Sequence, residues 1–210
     1  LGTLFGYYGK NLLSDLDFMD NVTDRMKFYS SETSNMHYIR TETIEACVSD
    51  VHSALEAVRG GVNSLELCVN RVEGGVTPSS AFIQHVVKLL RGRGGGVAVN
   101  VLIRPRPGSF VYSDEDFALL TQEVMMAKQA GATGIVVGVL TPEGFIHKSR
   151  MRIIRKLTEG LVLTFHRAFD VCKEDPYSAL KCLNGLKVDR LLTSGRMDKV
   201  TDSYACNLLA

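Results

Sequence analysis

The strongest constraint on the fold is a regular alternation of short apolar runs with helical stretches, which begins at Ile44. The apolar runs predict six strands, at 44–48, 64–69, 97–103, 134–140, 161–165 and 190–193. The stretches between them predict five helices, at 51–59, 81–91, 113–130, 148–157 and 176–186. Alternation of this kind implies an α/β fold with a parallel sheet and right-handed crossovers.

Two architectures satisfy this alternation, a doubly wound sheet and a TIM-type (β/α)8 barrel. A dinucleotide-binding doubly wound fold often shows G-x-G-x-x-G after its first strand, and this chain has no such motif there. Polar residues also recur at the carboxyl ends of the predicted strands, where barrels build their sites. We therefore predict a TIM-type barrel that is incomplete, because a full barrel has eight strands and this chain supplies six.

The pattern divides the chain into three parts. Residues 1–43 lack a sustained period and are expected to be a poorly ordered appendage. Residues 44–195 form the partial barrel, and residues 196–210 are interpreted as an atypical tail. The chain begins with Leu1, which suggests a fragment or an incomplete gene model. An open barrel has two exposed sheet edges, so we expect either that another chain covers the gap or that the product is only partly stable.

The composition is that of an ordinary globular protein, with 45% hydrophobic and 22% charged residues. A net charge of +1 gives no reason to expect nucleic acid or an anionic membrane as a partner. No apolar stretch approaches the roughly 20 residues that cross a bilayer, and the amino-terminal segment is a poor signal peptide. These features favour a cytosolic or nuclear protein.

The five cysteines are widely spaced and include no C-x-x-C pair, which argues against a disulfide framework or a zinc finger. Two of them lie in a repeated Glu-x-Cys pattern, formed by Glu45 with Cys47 and by Glu66 with Cys68. Residues i and i+2 of a strand share a face, and neighbouring strands lie about 4.8 Å apart. Both thiols could therefore bind one soft metal ion, for which Cu(I) is the obvious candidate. The alternative is that both cysteines are small buried apolar residues.

The two glutamates need partners if they face the barrel interior, because burying an unpaired charge is costly. Arg104 and Arg106 follow the third predicted strand, and their two-residue spacing places them on one face. We predict a cluster of Glu45, Glu66 and Arg104 inside the barrel, which is either structural or used in catalysis or binding.

A second polar group, containing His166, Arg167 and Asp170, follows the fifth predicted strand. At the mouth of a barrel His166 could act as a general base or a metal ligand, and Arg167 could bind an anion. Thr193 and Ser194 follow the sixth strand and could add hydroxyl groups to the same mouth. The alternative is a packing histidine beside a surface ion pair.

Together these segments resemble the CutC family, over about residues 44 to 195 and in order. The segments are Ile44–Asp50, Leu65–Cys68, Glu73–Ser79, Ile103–Arg106, Gly108–Ser113, Gly134–Thr141 with Gly144, Thr164–Asp170 and Arg190–Gly195. The resemblance implies a (β/α)8-type barrel, a role in copper homeostasis, self-association, and a cytoplasmic setting with the nucleus as a second compartment. Cu(I) binding by cysteines in some members carries over to Cys47 and Cys68. Family members continue into two further β-α units, and this chain departs from them after the sixth strand.

The residues support three hypotheses. The first is a copper homeostasis protein that binds Cu(I) through Cys47 and Cys68. The second is a barrel enzyme acting on a small anionic substrate, although the family has no well-established reaction. Its predicted catalytic residues are Glu45, Glu66, Arg104 and His166, and its predicted substrate-binding residues are Arg106, Arg167, Asp170, Thr193 and Ser194. The third is a truncated, non-functional isoform that at most pairs with complete subunits.

Overall fold

Six parallel strands form the frame of the structure, a computed structural model that describes residues 43–92 and 96–196. The strands are β1 (Glu45–Val48), β2 (Ser64–Leu67), β3 (Ala98–Leu102), β4 (Gly134–Val137), β5 (Val162–Phe165) and β6 (Arg190–Leu191). They lie side by side in sequence order, and every neighbouring pair is parallel. The predicted strands are confirmed, although each is slightly shorter than predicted. The strands β2, β4 and β6 end earlier, β1 and β5 begin one residue later, and β3 is shorter by one residue at each end.

The helices pack on the outside of this sheet. They are α1 (Val51–Arg59), α2 (Ser80–Arg91), α3 (Asp114–Gln129), α4 (Lys148–Leu157), α5 (Ala168–Val171) and α6 (Pro176–Gly185). Side-chain oxygens of Asp50, Ser79 and Ser113 accept hydrogen bonds from backbone N–H groups at the starts of α1, α2 and α3. Sequence analysis missed α5 and a 3₁₀ helix at Arg71–Glu73, because so few residues leave no room for a periodic pattern.

The sheet curls until its two edge strands approach each other. Arg190 on β6 reaches across to Glu45 on β1, with 3.6 Å between Nη1 and Oε2. Within the described part of the chain, no strand extends the sheet beyond β1 or β6. The described part of the chain is therefore a TIM-type barrel with six of the usual eight strands, as predicted.

The sheet separates two apolar regions. The larger region lies between the strands and the helices and includes the fully buried side chains of Leu65 and Leu67. Because successive residues of a strand point to opposite faces, Glu66 and Cys68 point into the barrel instead. The smaller apolar region lies there and consists of Cys68, Leu102 and Val136, with the partly buried Cys47 packed against it.

Polar side chains from three strands hold the Glu45 carboxylate inside the barrel. Its Oε2 atom accepts hydrogen bonds from Ser64 Oγ at 2.6 Å and from Asn100 Nδ2. Arg190 supplies the opposite charge. Arg104, which we predicted to cluster with Glu45, lines the same cavity but forms no ion pair with Glu45, because Arg104 lies two residues beyond the end of β3 whereas Asn100 lies within it.

The predicted appendage at 1–43 and the predicted tail at 196–210 lie outside the described residues, apart from residues 43 and 196. Their boundaries and their state of order therefore stay predictions. None of the helices in the described ranges is long and apolar enough to cross a membrane.

Gly134 on β4 provides the space that the Asn100 side chain occupies. A Cβ atom on Gly134 would collide with Asn100 Oδ1 and would lie 3.1 Å from the carbonyl oxygen of Val162. Asn100 could then no longer reach Glu45 without a shift of the backbone. Overpacking of this kind usually costs about 1–3 kcal/mol.

We therefore expect Gly134→Ala to lower the free energy of unfolding by about 1–3 kcal/mol. Urea denaturation followed by circular dichroism measures this change. Gly185→Ala is the matched control, because a Cβ atom on Gly185 at the end of α6 meets nothing within 4 Å. It should be neutral or should stabilise the protein by up to about 1 kcal/mol. Equal destabilisation by both substitutions would contradict this account of the barrel interior.

Candidate functional site

Two thiols meet on the inner face of the barrel. The register of β1 and β2 places Cys47 beside Glu66, and Cys68 directly follows the end of β2. The Sγ atoms of Cys47 and Cys68 lie 3.0 Å apart, within hydrogen-bonding distance. Both are free cysteines, and Cys68 is buried while Cys47 is partly buried. The predicted proximity of the two thiols is confirmed.

The hydrogen bond between the thiols makes their pKa values differ. A bond from Cys47 stabilises the Cys68 thiolate and so lowers the pKa of Cys68. The same bond, together with burial and the charge of Cys68, raises the pKa of Cys47. The guanidinium of Arg71 on the cavity wall favours both thiolates. The pair therefore loses its first proton much more readily than its second.

The carboxyl group of Glu66 completes a cluster with the two thiols. Single ligand atoms of Cys47, Glu66 and Cys68 all lie within 4.8 Å of one another. Burial raises the pKa of Glu66 well above its usual range, and the neighbouring Cys47 and Glu45 raise it further. Among the residues in the described ranges, no arginine or lysine forms an ion pair with Glu66, although Arg104, which we predicted in the same cluster, lines the same cavity.

Arg104 instead holds together the loops above the cluster. Its Nη1 atom donates to the carbonyl oxygens of Glu73 and Gly75, at 3.0 and 2.9 Å. Its Nη2 atom donates to the carbonyl oxygen of Gly108 at 2.7 Å. The guanidinium also lies over the ring of Phe110, 5.0 Å from the ring centroid. Its Nε atom is buried and has no hydrogen-bond partner.

Gly74 and Gly75 allow the chain to pass close to both Arg104 and the thiols. Their φ angles of +85° and +86° lie in the left-handed region that favours glycine. A Cβ atom on Gly75 would lie 2.8 Å from Leu102 Cδ2 and 3.7 Å from Cys68 Sγ. A Cβ atom on Gly74 would lie 3.1 Å from Arg104 Nη1. The close backbone approach requires glycine at both positions.

Arg106 lies away from this cluster. Its Nε atom donates to Asp116 Oδ2 at 2.7 Å, and its guanidinium lies over the ring of Tyr112 at 5.1 Å from the centroid. The prediction that Arg104 and Arg106 share a face is wrong. Both residues follow the end of β3, where the chain turns and the two-residue alternation of a strand no longer applies.

His166 lies on the cavity wall directly after β5. Its Nδ1 atom accepts a hydrogen bond from the N–H of Ala168 at 3.1 Å, so Nε2 carries the proton and is buried without a partner. Burial and the positive charge of Arg104 lower the pKa of His166 to about 3. The imidazole is therefore neutral at pH 7, and this geometry favours a hydrogen-bond donor over the predicted general base. Gly138 makes room for it, because a Cβ atom there would lie 2.6 Å from the ring.

Asp170 anchors the segment that follows β6. Its carboxylate accepts hydrogen bonds from the hydroxyls of Thr193 and Ser194 and from the backbone N–H of Ser194 and Arg196. It also pairs with Arg167 Nε at 3.0 Å. Burial acts to raise the pKa of Asp170, but these hydrogen bonds outweigh it and lower the pKa. These contacts give Asp170, Thr193 and Ser194 a structural role, and their part in substrate binding stays a prediction.

The cluster, Arg104 and His166 face one cavity of about 320 Å³. The predicted residues on its wall are Glu45, Cys47, Glu66, Cys68, Arg104, His166 and Arg167. The predicted residues that lie elsewhere are Arg106, Asp170, Thr193 and Ser194. Arg71, Leu102, Phe110 and Leu192 also line the wall and were not predicted.

The missed residues differ in how far the sequence could have revealed them. Asn100 is a polar residue in the middle of an apolar strand, two and four positions before Leu102 and Arg104, and this signal marks the inner face. Arg71 lies in the 3₁₀ helix and Phe110 lies in a loop, so no periodicity indicates where their side chains point.

The same stretch of chain matches proteins of one family. A model of the CutC family matches residues 42–207. This chain belongs to the CutC family. A CutC family protein of Vibrio vulnificus is 42% identical over 154 residues, which cover 72% of this chain and 59% of that protein. The copper homeostasis protein cutC homologs of mouse and human are 42% and 41% identical over 152 residues, which cover 72% of this chain and 54% of each homolog.

A solved structure supports the same assignment. The crystal structure of a CutC protein from Streptococcus agalactiae superposes with a TM-score of 0.68 at 30% identity, over 73% of both chains. The incomplete barrel described above is therefore most of a CutC barrel. The present chain spans between 54% and 59% of the length of the relatives named above.

The bonds to Asp170 predict a pH-dependent contribution to stability. At pH 7 we expect Asp170→Asn to lower the free energy of unfolding by about 1–3 kcal/mol, because an amide presents a donor to groups that donate. The pKa of Asp170 is lower in the folded state, so the carboxylate stabilises the fold above the unfolded-state value of about 3.9. That contribution is lost as the pH falls through the folded-state value. In urea denaturation between pH 3 and pH 7, the difference in free energy of unfolding between the wild type and Asp170→Asn should decrease below about pH 4.

Glu159→Gln is the control for this experiment, because Glu159 is an exposed carboxylate. It should change the free energy of unfolding by less than about 0.5 kcal/mol at every pH. A penalty for Asp170→Asn that stays constant from pH 7 to pH 3 would show that the charge of Asp170 does not stabilise the fold.

Proposed function

We propose that this chain acts in copper homeostasis by binding Cu(I) through the thiolates of Cys47 and Cys68. The observation that carries the proposal is the 3.0 Å separation of the two Sγ atoms on the wall of the cavity. Thiolates are soft ligands, and Cu(I) is one of the metal ions that such ligands favour. The names of the mouse and human relatives, which contain the words copper homeostasis, agree with this function.

The surroundings of the thiols suit a bound monovalent cation. Neither cysteine is used in a disulfide, and the hydrogen bond from Cys47 already favours one thiolate at Cys68. Leu102 and Val136 pack beside the pair and exclude water from one side of it. Two thiolates and one Cu(I) leave a net charge of −1, which the guanidinium of Arg71 on the same wall helps to offset.

Anaerobic titration with Cu(I) in the presence of a competing chelator tests this proposal. We expect the wild-type chain to bind about one equivalent. The Cys47→Ser/Cys68→Ser double variant should bind at least about 100-fold more weakly, because even residues that only support a metal ligand alter affinity by 10–100-fold. Circular dichroism would show whether the double variant keeps the native content of secondary structure.

Cys182→Ser is the matched control, because Cys182 is a partly buried free cysteine on α6 and does not line the cavity. It should bind Cu(I) with the wild-type affinity. A double variant that binds as tightly as the wild type would overturn the proposal, as would a Cys182→Ser variant that loses binding.

A barrel enzyme acting on a small anionic substrate is the second candidate, and Arg104 favours it. This buried guanidinium donates only to neutral carbonyl oxygens, and no carboxylate among the described residues forms an ion pair with it. A buried positive charge without a counter-ion is costly, and an anionic group in the cavity would offset that cost. His166 Nε2 would be a second donor for the same group.

Titration with inorganic phosphate at constant ionic strength tests this second candidate. We expect saturable stabilisation of the wild-type chain in thermal denaturation. His166→Asn should weaken phosphate binding at least tenfold. His166→Gln should retain most of the affinity, because its amide nitrogen can take the place of Nε2. Stabilisation that does not saturate, or that is unchanged in His166→Asn, would contradict anion binding at this wall.

Self-association and a cytoplasmic or nuclear setting, which the resemblance to the family implies, complete the proposal. A second subunit is one way to cover the open edges of β1 and β6, because unpaired backbone groups at a sheet edge readily pair with another chain. The sedimentation coefficient of the purified chain would report its oligomeric state directly.

A further inference from the structure

The cluster in the barrel contains an oxygen ligand that Cu(I) does not require. Besides the two thiols it includes the carboxyl group of Glu66, and single ligand atoms of all three residues lie within 4.8 Å of one another. Thiolates alone satisfy a soft monovalent ion, whereas a carboxylate oxygen is a harder ligand. A mixed set of two sulfur atoms and one oxygen atom is better suited to a borderline dication such as Zn²⁺.

Glu66 is placed by the sheet to act together with the thiols. It pairs with Cys47 in the register of β1 and β2 and precedes Cys68 by two residues, so all three side chains point to the same face. Its exposed fraction is 8%, and no ion pair with an arginine or lysine among the described residues occupies its carboxyl group. The carboxyl group is hydrogen-bonded to Cys47 instead, so its oxygen atoms already lie beside the sulfur atoms that would hold a cation.

The number of ligands also fits a zinc site of the catalytic type. Structural zinc sites have four protein ligands, whereas catalytic sites have three and leave the fourth position to water or substrate. Within the described residues, the cluster holds three groups of ligating type, and it faces a cavity of about 320 Å³. The fourth position would open into that cavity.

The charges favour a dication over a monovalent ion when all three groups bind. Two thiolates and one carboxylate around Zn²⁺ leave a net charge of −1, whereas the same three ligands around Cu(I) leave −2. Burial penalises the larger uncompensated charge. Cu(I) would therefore use the thiolates alone, and Glu66 would contribute only to binding of a dication.

We propose that Cys47, Cys68 and Glu66 form a three-ligand site for Zn²⁺. Glu66 allows the two thiolates to bind a dication in place of Cu(I). This inference rests on the same thiols as the proposed function, but it assigns to Glu66 a role that Cu(I) binding does not need. The site would place a zinc-bound water in the cavity whose wall also contains His166, and zinc lowers the pKa of a water bound to it.

The test is a pair of metal titrations on the wild-type chain and on Glu66→Gln, which keeps the shape of the side chain. Zn²⁺ affinity is measured against a chromophoric chelator, and Cu(I) affinity is measured anaerobically as above. We expect Glu66→Gln to weaken Zn²⁺ binding at least tenfold and to change Cu(I) binding less than threefold. Substitution by Co²⁺ should give the intense visible bands of a four-coordinate thiolate site in the wild type, and weaker bands in the variant.

Glu123→Gln is the matched control, because Glu123 is a half-buried carboxylate that bonds to Thr77 and does not line the cavity. It should leave both affinities unchanged. X-ray absorption at the zinc edge of the wild-type protein needs no variant, and we expect two sulfur and two oxygen or nitrogen ligands. A first shell without sulfur, or one composed only of sulfur, would overturn the inference.

The outcomes separate this inference from the proposed function. Cu(I) binding without Zn²⁺ binding, or Zn²⁺ binding that Glu66→Gln does not weaken, would overturn the zinc site and leave copper binding intact. Zn²⁺ binding that depends on Glu66, in a chain that binds no Cu(I), would support the zinc site and overturn the proposed copper binding. The Cys47→Ser/Cys68→Ser variant should lose every metal that the wild-type chain binds at this site. Retention of Zn²⁺ in that variant would overturn the three-ligand site.

Discussion

The barrel depends on the contacts of one buried carboxylate, that of Glu45. Glu45 points into the barrel and is held by Ser64, Asn100 and Arg190, which come from three different strands. This contact connects β1 with β6, the two ends of the sheet, although these strands do not pair with each other. An unpaired carboxylate in this position would be costly. The curl of the sheet brings Arg190 to Glu45, and the resulting ion pair in turn favours the curled sheet.

Glu45 and its partners form the polar floor of the cavity, and the thiols lie one inward-facing position closer to the mouth. Because strand residues alternate, the positions after Glu45 and Ser64 on the inner face are Cys47 and Glu66, followed by Cys68. The helices pack on the other face, where the leucines of β2 lie. The side chains proposed to bind metal are therefore separated from those that pack against the helices.

The loops at the mouth are organised by buried polar groups of a different kind. Arg104 donates to three carbonyl oxygens, and Asp170 accepts from the segment after β6. His166 is fixed by the N–H of Ala168 and by the space beside Gly138. These contacts orient the cavity wall without using the thiols or Glu66. The proposed metal site and the proposed anion site, the latter at Arg104 and His166, therefore use different residues of one cavity.

The sequence by itself determined the order of strands and helices, the class of fold and the meeting of Cys47 with Cys68. These features follow from local rules, namely hydrophobic periodicity, helix capping and the alternation of strand residues. Only the tertiary structure decided the partners of the charged groups. Arg190 and Asn100, not Arg104, approach Glu45, and Arg106 leaves the site for Asp116. The physical reason is that such pairings depend on the curl of the sheet and on the course of loops, where neither two-residue nor helical periodicity constrains the direction of a side chain.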